Sequence, residues 1–309
     1  MLPVFADPRT DFVFKKIFGA VERKPLLIAL LNHLLELSGE QHVDVAELKL
    51  SIVDVKCTDA SGRRFVVEMQ VLKVEGFEKR VVYNASKAYV MQLRSAEEYP
   101  TLCDVVGVTI CNFELWPEKG KDGRYKVPML SRWRMQEQHG GEQGMPQVQY
   151  AFLELPKYQA GAEPQSVVEK WAYFFREAKN LNVVPPALSE RPFRDALEVA
   201  RTATFAPAEW EAYERAKMAE QDARGALAVA HEEGLAAGHR SGLEEGHKSG
   251  LEEGKLEAKR DMLLRLLARA GIALTEEDRS SIQGCTEVAK LDRWVENVLG
   301  AKTIADVLS

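Results

Sequence analysis

Hydrophobic and polar positions follow two different periods along this chain. Asp7-Pro8 reads as an entry turn, and Thr10 or Asp11 can cap a short helix. Phe14, Ile17 and Phe18 form that helix's apolar face, and Gly19 ends it. Pro25 suits the first turn of a second helix running to about Leu37, with Gly39 after it. Leu48 to Cys57 reads as extended, and Arg63 to Val71 alternates as a strand. Phe77 to Ala96 carries a long helical pattern. Asp104 to Cys111 is a nearly continuous apolar run, as expected of a strand covered on both faces. Residues 117–127 and 136–147 read as loops; Met129 to Met135 and Val148 to Leu155 read as two further strands. From Ser166 onward every pattern is helical. The order predicts an α/β or α+β core followed by a helical C-terminal region.

Within that region, residues 206–260 are distinct. Glycines 234, 238, 242, 246, 250 and 254 recur every fourth residue among Glu, Lys, Ala and Leu. Each interior glycine costs a helix about 1 kcal/mol relative to alanine. A stripe of glycines also lets two helices approach closely. It drifts about 40° per step, which favours a crossed or right-handed pairing. The segment therefore predicts self-association, a dimer or higher oligomer, or else a frayed helical linker. His231, His239 and His247 share the spacing of the repeat, which explains them without a metal. Beyond it, Leu263, Leu266, Leu267 and Ala270 predict an amphipathic helix closed by Gly271. Thr275 and its acidic successors predict a capped start, and Val288, Leu291, Trp294, Val295 and Val298 mark a last helix.

Composition narrows the class. The chain has 309 residues, 46% hydrophobic and 28% charged, which excludes wholesale disorder and a disulfide-stapled mini-protein. Pro25 to Leu35, the longest uncharged apolar stretch, is half a membrane span, and the N-terminus lacks a signal-peptide pattern. The expectation is a cytoplasmic protein with no membrane partner. Four cysteines without CxxC spacing read as buried small hydrophobes. The net charge of −6 argues against an unspecific nucleic-acid coat. A neutral N-terminal third can still present a basic face around an acidic site.

The candidate chemistry lies on a predicted hairpin. Asp59 faces Arg63 across the loop Ala60-Ser61-Gly62, with Gly62 at the left-handed position. Counting outward, Asp54 falls opposite Glu68. Opposed carboxylates at about 5 Å repel, and they need a proton, a basic side chain or a metal between them. One reading is a solvent face neutralised by Lys56 and Arg64. The other is a Mg²⁺ or Mn²⁺ site. Arg80, Tyr83, Asn84 and Lys87 recur at helical spacing just downstream, and Lys15 and Lys16 come from the first helix. Cations around an acidic metal site suit a phosphodiester substrate.

At these residues the sequence resembles a known family. Asp54, then Glu68-x-Gln70, is similar to the D…(D/E)xK site of the PD-(D/E)XK nuclease superfamily. The opening Thr10 to Gly19, the helix with Arg80, Tyr83, Lys87, Tyr89 and Gln92, and the glycine repeat resemble the Rpn-type recombination-promoting nucleases and transposase-like proteins. The resemblance implies a mixed sheet flanked by helices, with a core over residues 1–160. A helical extension at 161–205, the long glycine-striped helix at 206–260 and a small helical module at 261–309 would follow. It implies a Mg²⁺-dependent DNA endonuclease, with Mn²⁺ as an alternative ion. Asp54 and Glu68, with Asp11, would hold the metal, and Asp54, Glu68 and Gln70 would be catalytic. Lys15, Lys56, Arg80, Tyr83 and Lys87 would contact DNA. Gln70 departs from the superfamily's lysine, and Lys56, Lys87 or Lys15 could supply the missing cation. The competing reading is a weak or inactive nuclease fold serving as an oligomeric binding module.

Overall fold

The computed structural model describes residues 3–50, 55–93, 98–141 and 143–309. The chain forms two compact units, residues 1–225 and 226–309.

The first unit is built on a six-stranded mixed sheet. Its strands are β1 (Val45–Leu50), β2 (Val55–Asp59), β3 (Arg64–Gln70), β4 (Val105–Cys111), β5 (Leu130–Gln136) and β6 (Gly144–Glu154), in spatial order β1-β2-β3-β4-β6-β5. β3, β4 and β6 run parallel, and the outer pairings are antiparallel. All seven residues of β4 are buried, because helices cover both faces of the central strand.

On one face lie α1 (Asp11–Phe18), α2 (Lys24–Leu35), α4 (Val167–Glu177) and α5 (Phe193–Val199). Their apolar stripes meet Val55, Cys57, Phe65, Val67, Val106, Val108 and Ile110 in the main core. On the other face lies α3 (Phe77–Val90), whose Phe77 and Val81 pack on Cys111, Leu115 and Phe152. Strand alternation turns Lys56, Arg64, Val66, Glu68 and Gln70 toward this second face.

Several expectations change in detail. Within the stretch expected to be extended, β1 ends at Leu50 and the antiparallel β2 begins at Val55, with these two residues opposite each other. β1 alternates apolar and charged residues as an edge strand does, so the sequence offered no break before β2. α2 ends at Leu35, where Glu36 takes a left-handed conformation, φ +52°, ahead of Gly39. α3 ends at Val90. Thr10 sits at the N-cap of α1, but its hydroxyl donates to Asp7 O at 2.9 Å instead of capping the helix. β6 begins at Gly144, inside a stretch expected to be loop.

The long helix α6 (Pro207–Arg269) begins in the first unit. There Tyr213 is buried, and its hydroxyl accepts from the Asp7 amide at 3.1 Å. Every residue from 221 to 255 is exposed, and a Cβ added at any glycine of the stripe would meet open space. The second unit packs the end of α6 against α7 (Glu276–Gly284), α8 (Val288–Asn297) and α9 (Ile304–Leu308). Leu263, Leu267, Ile282, Leu291 and Trp294 form its core. The amphipathic helix expected at 263–270 is the last part of α6. Gly271 then turns the chain at φ +72°, and Thr275 and Asp278 form a reciprocal cap on α7. Among the described residues no helix is long and apolar enough to cross a membrane.

Candidate active site

The β2–β3 hairpin sets the geometry. Val55 faces Val67, Lys56 faces Val66, and Thr58 faces Arg64, the register counted from the sequence. Asp59 organises the turn. Its Oδ1 accepts from the Ser61 and Arg63 amides, and its Oδ2 accepts from Arg63 Nε at 2.7 Å. Gly62 has φ +89°, a conformation that favours glycine, and a Cβ there would come within 2.6 Å of the Cys103 Sγ. Asp54 lies outside the described residues.

Glu68 is buried, only 2% exposed, although it is a charged residue on a central strand. Burial of that kind needs a charged partner. Arg80 from the first turn of α3 supplies one: its Nη2 donates to Glu68 Oε1 at 2.7 Å and to Gln70 Oε1 at 2.6 Å. The Gln70 amide is fixed at both ends, because its Nε2 donates to Leu72 O at 2.8 Å. The guanidinium also lies 5.5 Å from the Phe77 ring centroid, and among the described residues its buried Nε has no hydrogen-bond partner.

A cavity of about 430 Å³ opens on the same sheet face, between the C-terminal half of α3 and strands β1 to β3. Among the described residues, Lys49, Lys56, Arg64 and Lys87 line it together with the carboxylate Glu47. Val66 in its wall is two residues from Glu68. Gln92 anchors the chain beyond α3, bonding the Cys103 carbonyl and amide at 2.8 and 2.9 Å. Tyr83 is 62% exposed, with the Lys87 ammonium 5.8 Å from its ring.

The structure thus gathers the expected residues into three groups. Glu68, Gln70 and Arg80 form one hydrogen-bonded cluster. Lys56 and Lys87 share the cationic cavity, which Tyr83 adjoins through Lys87. Asp11 pairs with Lys15 at 2.7 Å in a depression it shares with Lys16, Arg23, Glu209 and Arg215. Arg80, expected at a phosphate, instead reaches Glu68 and Gln70 with its guanidinium. Lys49, which has no expected role, lines the cavity beside Arg64, expected as a neutralising charge. The twelve-residue separation of Glu68 and Arg80 carries no periodic signal that links them.

Among the described residues no group of three or more His, Cys, Asp or Glu side chains is placed to hold a metal. The donor chemistry of the cluster nevertheless suits a hard cation. Two oxygens, Glu68 Oε1 and Gln70 Oε1, converge on one positively charged nitrogen, and Mg²⁺ needs only one or two carboxylates with water completing its shell.

A family model described as PD-(D/E)XK nuclease family transposase matches residues 8–230. The match takes in the whole sheet, both helical layers and the start of α6. No curated protein and no solved structure matches the chain.

Proposed function

The chain belongs to the PD-(D/E)XK nuclease family of transposases, and from that premise we propose that it is a metal-dependent DNA endonuclease acting in recombination or transposition. One observation carries the reading most: the buried carboxylate Glu68 stands on the same strand face as a cavity lined by four cations. That is the charge pattern a phosphodiester backbone requires.

Asp54 and Glu68 would hold Mg²⁺ or Mn²⁺; Asp11, the further ligand expected, is paired with Lys15 in a separate depression. When bound, the ion supplies an activated water and stabilises charge developing on the phosphate. The protein's own groups do the rest. Arg80 holds a permanent positive charge against Glu68 and Gln70, so it provides the cation that glutamine lacks. It is a positioning residue: it fixes the Glu68 carboxylate and the Gln70 amide together. Lys56 and Lys87, joined by Lys49 and Arg64, would neutralise backbone phosphates, with Tyr83 and Lys15 as outer contacts.

Plasmid nicking with Mg²⁺ or Mn²⁺ tests the proposal. Wild type nicks and Glu68→Ala does not, while Gln70→Ala shows what its amide contributes. Folded wild type that fails to nick with either ion overturns it and leaves a binding module on a nuclease fold.

The glycine-striped part of α6 is proposed as the self-association element, so that two sites serve two strands. Its exposed glycines carry a helix cost that no contact among the described residues offsets. Light scattering at micromolar concentration then reads the mass of at least two chains. A single-chain mass overturns this part alone.

A further inference from the structure

The edge of the sheet farthest from the hairpin carries a feature that catalysis at Glu68 leaves unused. Trp116 and Trp133 stack with ring centroids 4.6 Å apart and planes at 27°. Trp133 on edge strand β5 is 40% exposed. Its indole N–H donates to Ser131 Oγ at 2.9 Å, which fixes the ring while part of it stays exposed beside the stack. Trp116 also meets Phe152 edge-on at 5.1 Å.

The stack is built firmly. Glu154, fully buried at the end of β6, accepts from the Leu115 amide at 2.6 Å and the Trp116 amide at 3.2 Å. Its other oxygen pairs with buried Lys157 at 2.7 Å, and Lys157 in turn donates to Val127 O at 2.8 Å. One buried ion pair therefore pins both ends of the loop that delivers Trp116. That loop exposes Lys119, Lys121, Arg124 and Lys126 against Glu118 and Asp122.

The stack also faces the right way. Glu68, Thr109, Phe152 and Ser131 form one row across the sheet, and Trp133 lies two residues beyond Ser131 on the same face. Three strand spacings separate β3 from β5, about 14 Å.

We propose that the Trp116–Trp133 stack is a subsite for an unpaired nucleobase, with the cations of the 117–126 loop holding the adjoining strand. The inference rests on the DNA reading above. An exposed aromatic face accepts any base but only one out of its duplex stack, and basic side chains beside it match the phosphates such a base carries. The substrate class it selects is DNA with a single-stranded or opened segment near the scissile bond.

Tryptophan fluorescence and anisotropy, read without metal on the full chain, test this with a thymidine oligonucleotide of about twelve nucleotides and a duplex of equal length. Trp133→Ala weakens single-strand binding roughly 5- to 150-fold, since stacking on one side chain is worth about 1–3 kcal/mol. It leaves duplex binding within about twofold. Trp133→Phe keeps an aromatic face and most of the affinity, which separates stacking from misfolding. Single-strand binding unchanged in Trp133→Ala, or lost equally for duplex, overturns the subsite and leaves the nuclease reading standing. An apolar protein partner as the true occupant gives that same unchanged result. Wild type that binds neither DNA overturns both.

Discussion

Two buried carboxylates stand on the same face of the sheet and serve opposite ends. Glu154 on β6 pairs with Lys157, and the two side chains are 0% and 1% exposed. Its acceptors are spent on loop amides and a buried ammonium. Glu68 on β3 pairs with Arg80, whose side chain is 38% exposed. There the cation comes from a helix surface and reaches inward to two oxygens at once. A closed pair of the first kind locks chain segments together. The second kind keeps its cation within reach of solvent while the carboxylate itself is buried. On the proposed reading, burial alone does not set Glu68 apart from Glu154; the exposure of the partner cation does.

The largest effect expected from this contrast is on chemistry. Glu68→Ala lowers nicking by about a thousandfold or more, because a metal's transition-state contribution is several kcal/mol at about 1.4 kcal/mol per tenfold. Stability falls by only about 1 kcal/mol, since the released guanidinium can hydrate. Nicking assays beside urea melts separate the two. A large stability loss would erase the distinction.

Glu154→Ala should behave in the opposite sense. Removing one partner of a buried pair costs about 3–5 kcal/mol, because the other charge is stranded. The urea midpoint falls strongly and the 112–128 loop loosens. Nicking measured where the variant is still folded falls far less than in Glu68→Ala. Comparable nicking losses in both would place Glu154 in the chemistry.

Arg80→Ala lies between them. It lowers nicking by about ten- to a hundredfold, the value of a charge-assisted bond that fixes Glu68 and Gln70. Arg80→Lys recovers part of this, since an ammonium restores charge without the planar fork. Lys56→Ala and Lys87→Ala act on DNA affinity instead. Each lowers the salt dependence of binding by about one ion and leaves the turnover of bound DNA unchanged.

The contrast also explains which parts of the molecule could be read from the sequence. The β4 run, the Gly62 turn, the Thr275 cap and the apolar stripe of α8 are set by neighbours a few residues away, and local pattern recorded them. The hairpin register followed from counting outward from Gly62. Glu68 and Gln70 were visible as polar interruptions of an apolar strand. Their partner was visible only as one of several helical cations, since nothing local ties Arg80 to residues ten and twelve positions earlier. Lys157 follows Glu154 by three residues, yet its burial depends on the loop that closes over both. Trp133 lies in the expected strand Met129–Met135, but its stacking partner Trp116 is seventeen residues away. Interactions that depend on how distant segments meet leave no period to read.

Cys111 offers the finest test, because it lies directly between the two regions. It pairs with Gln70 on β3 and with Glu154 on β6 in a single row. Burial pushes its thiol pKa up, and the charges of Glu154 and Glu68 push it further. The Cys57 thiol is raised to about 12, again chiefly by burial and then by Asp59. A thiolate is the reactive species, so neither thiol should react with an aromatic disulfide reagent near pH 8 in the folded protein. Half-buried Cys103 should react first. Glu154→Ala opens the loop end and exposes Cys111 to the reagent well below the unfolding midpoint. Glu68→Ala leaves Cys111 protected, because Arg80 and the packing of α3 stay in place. Equal protection in both variants would mean that Glu154 does not hold its end of the sheet closed, and the division between a structural and a chemical carboxylate would have to be redrawn.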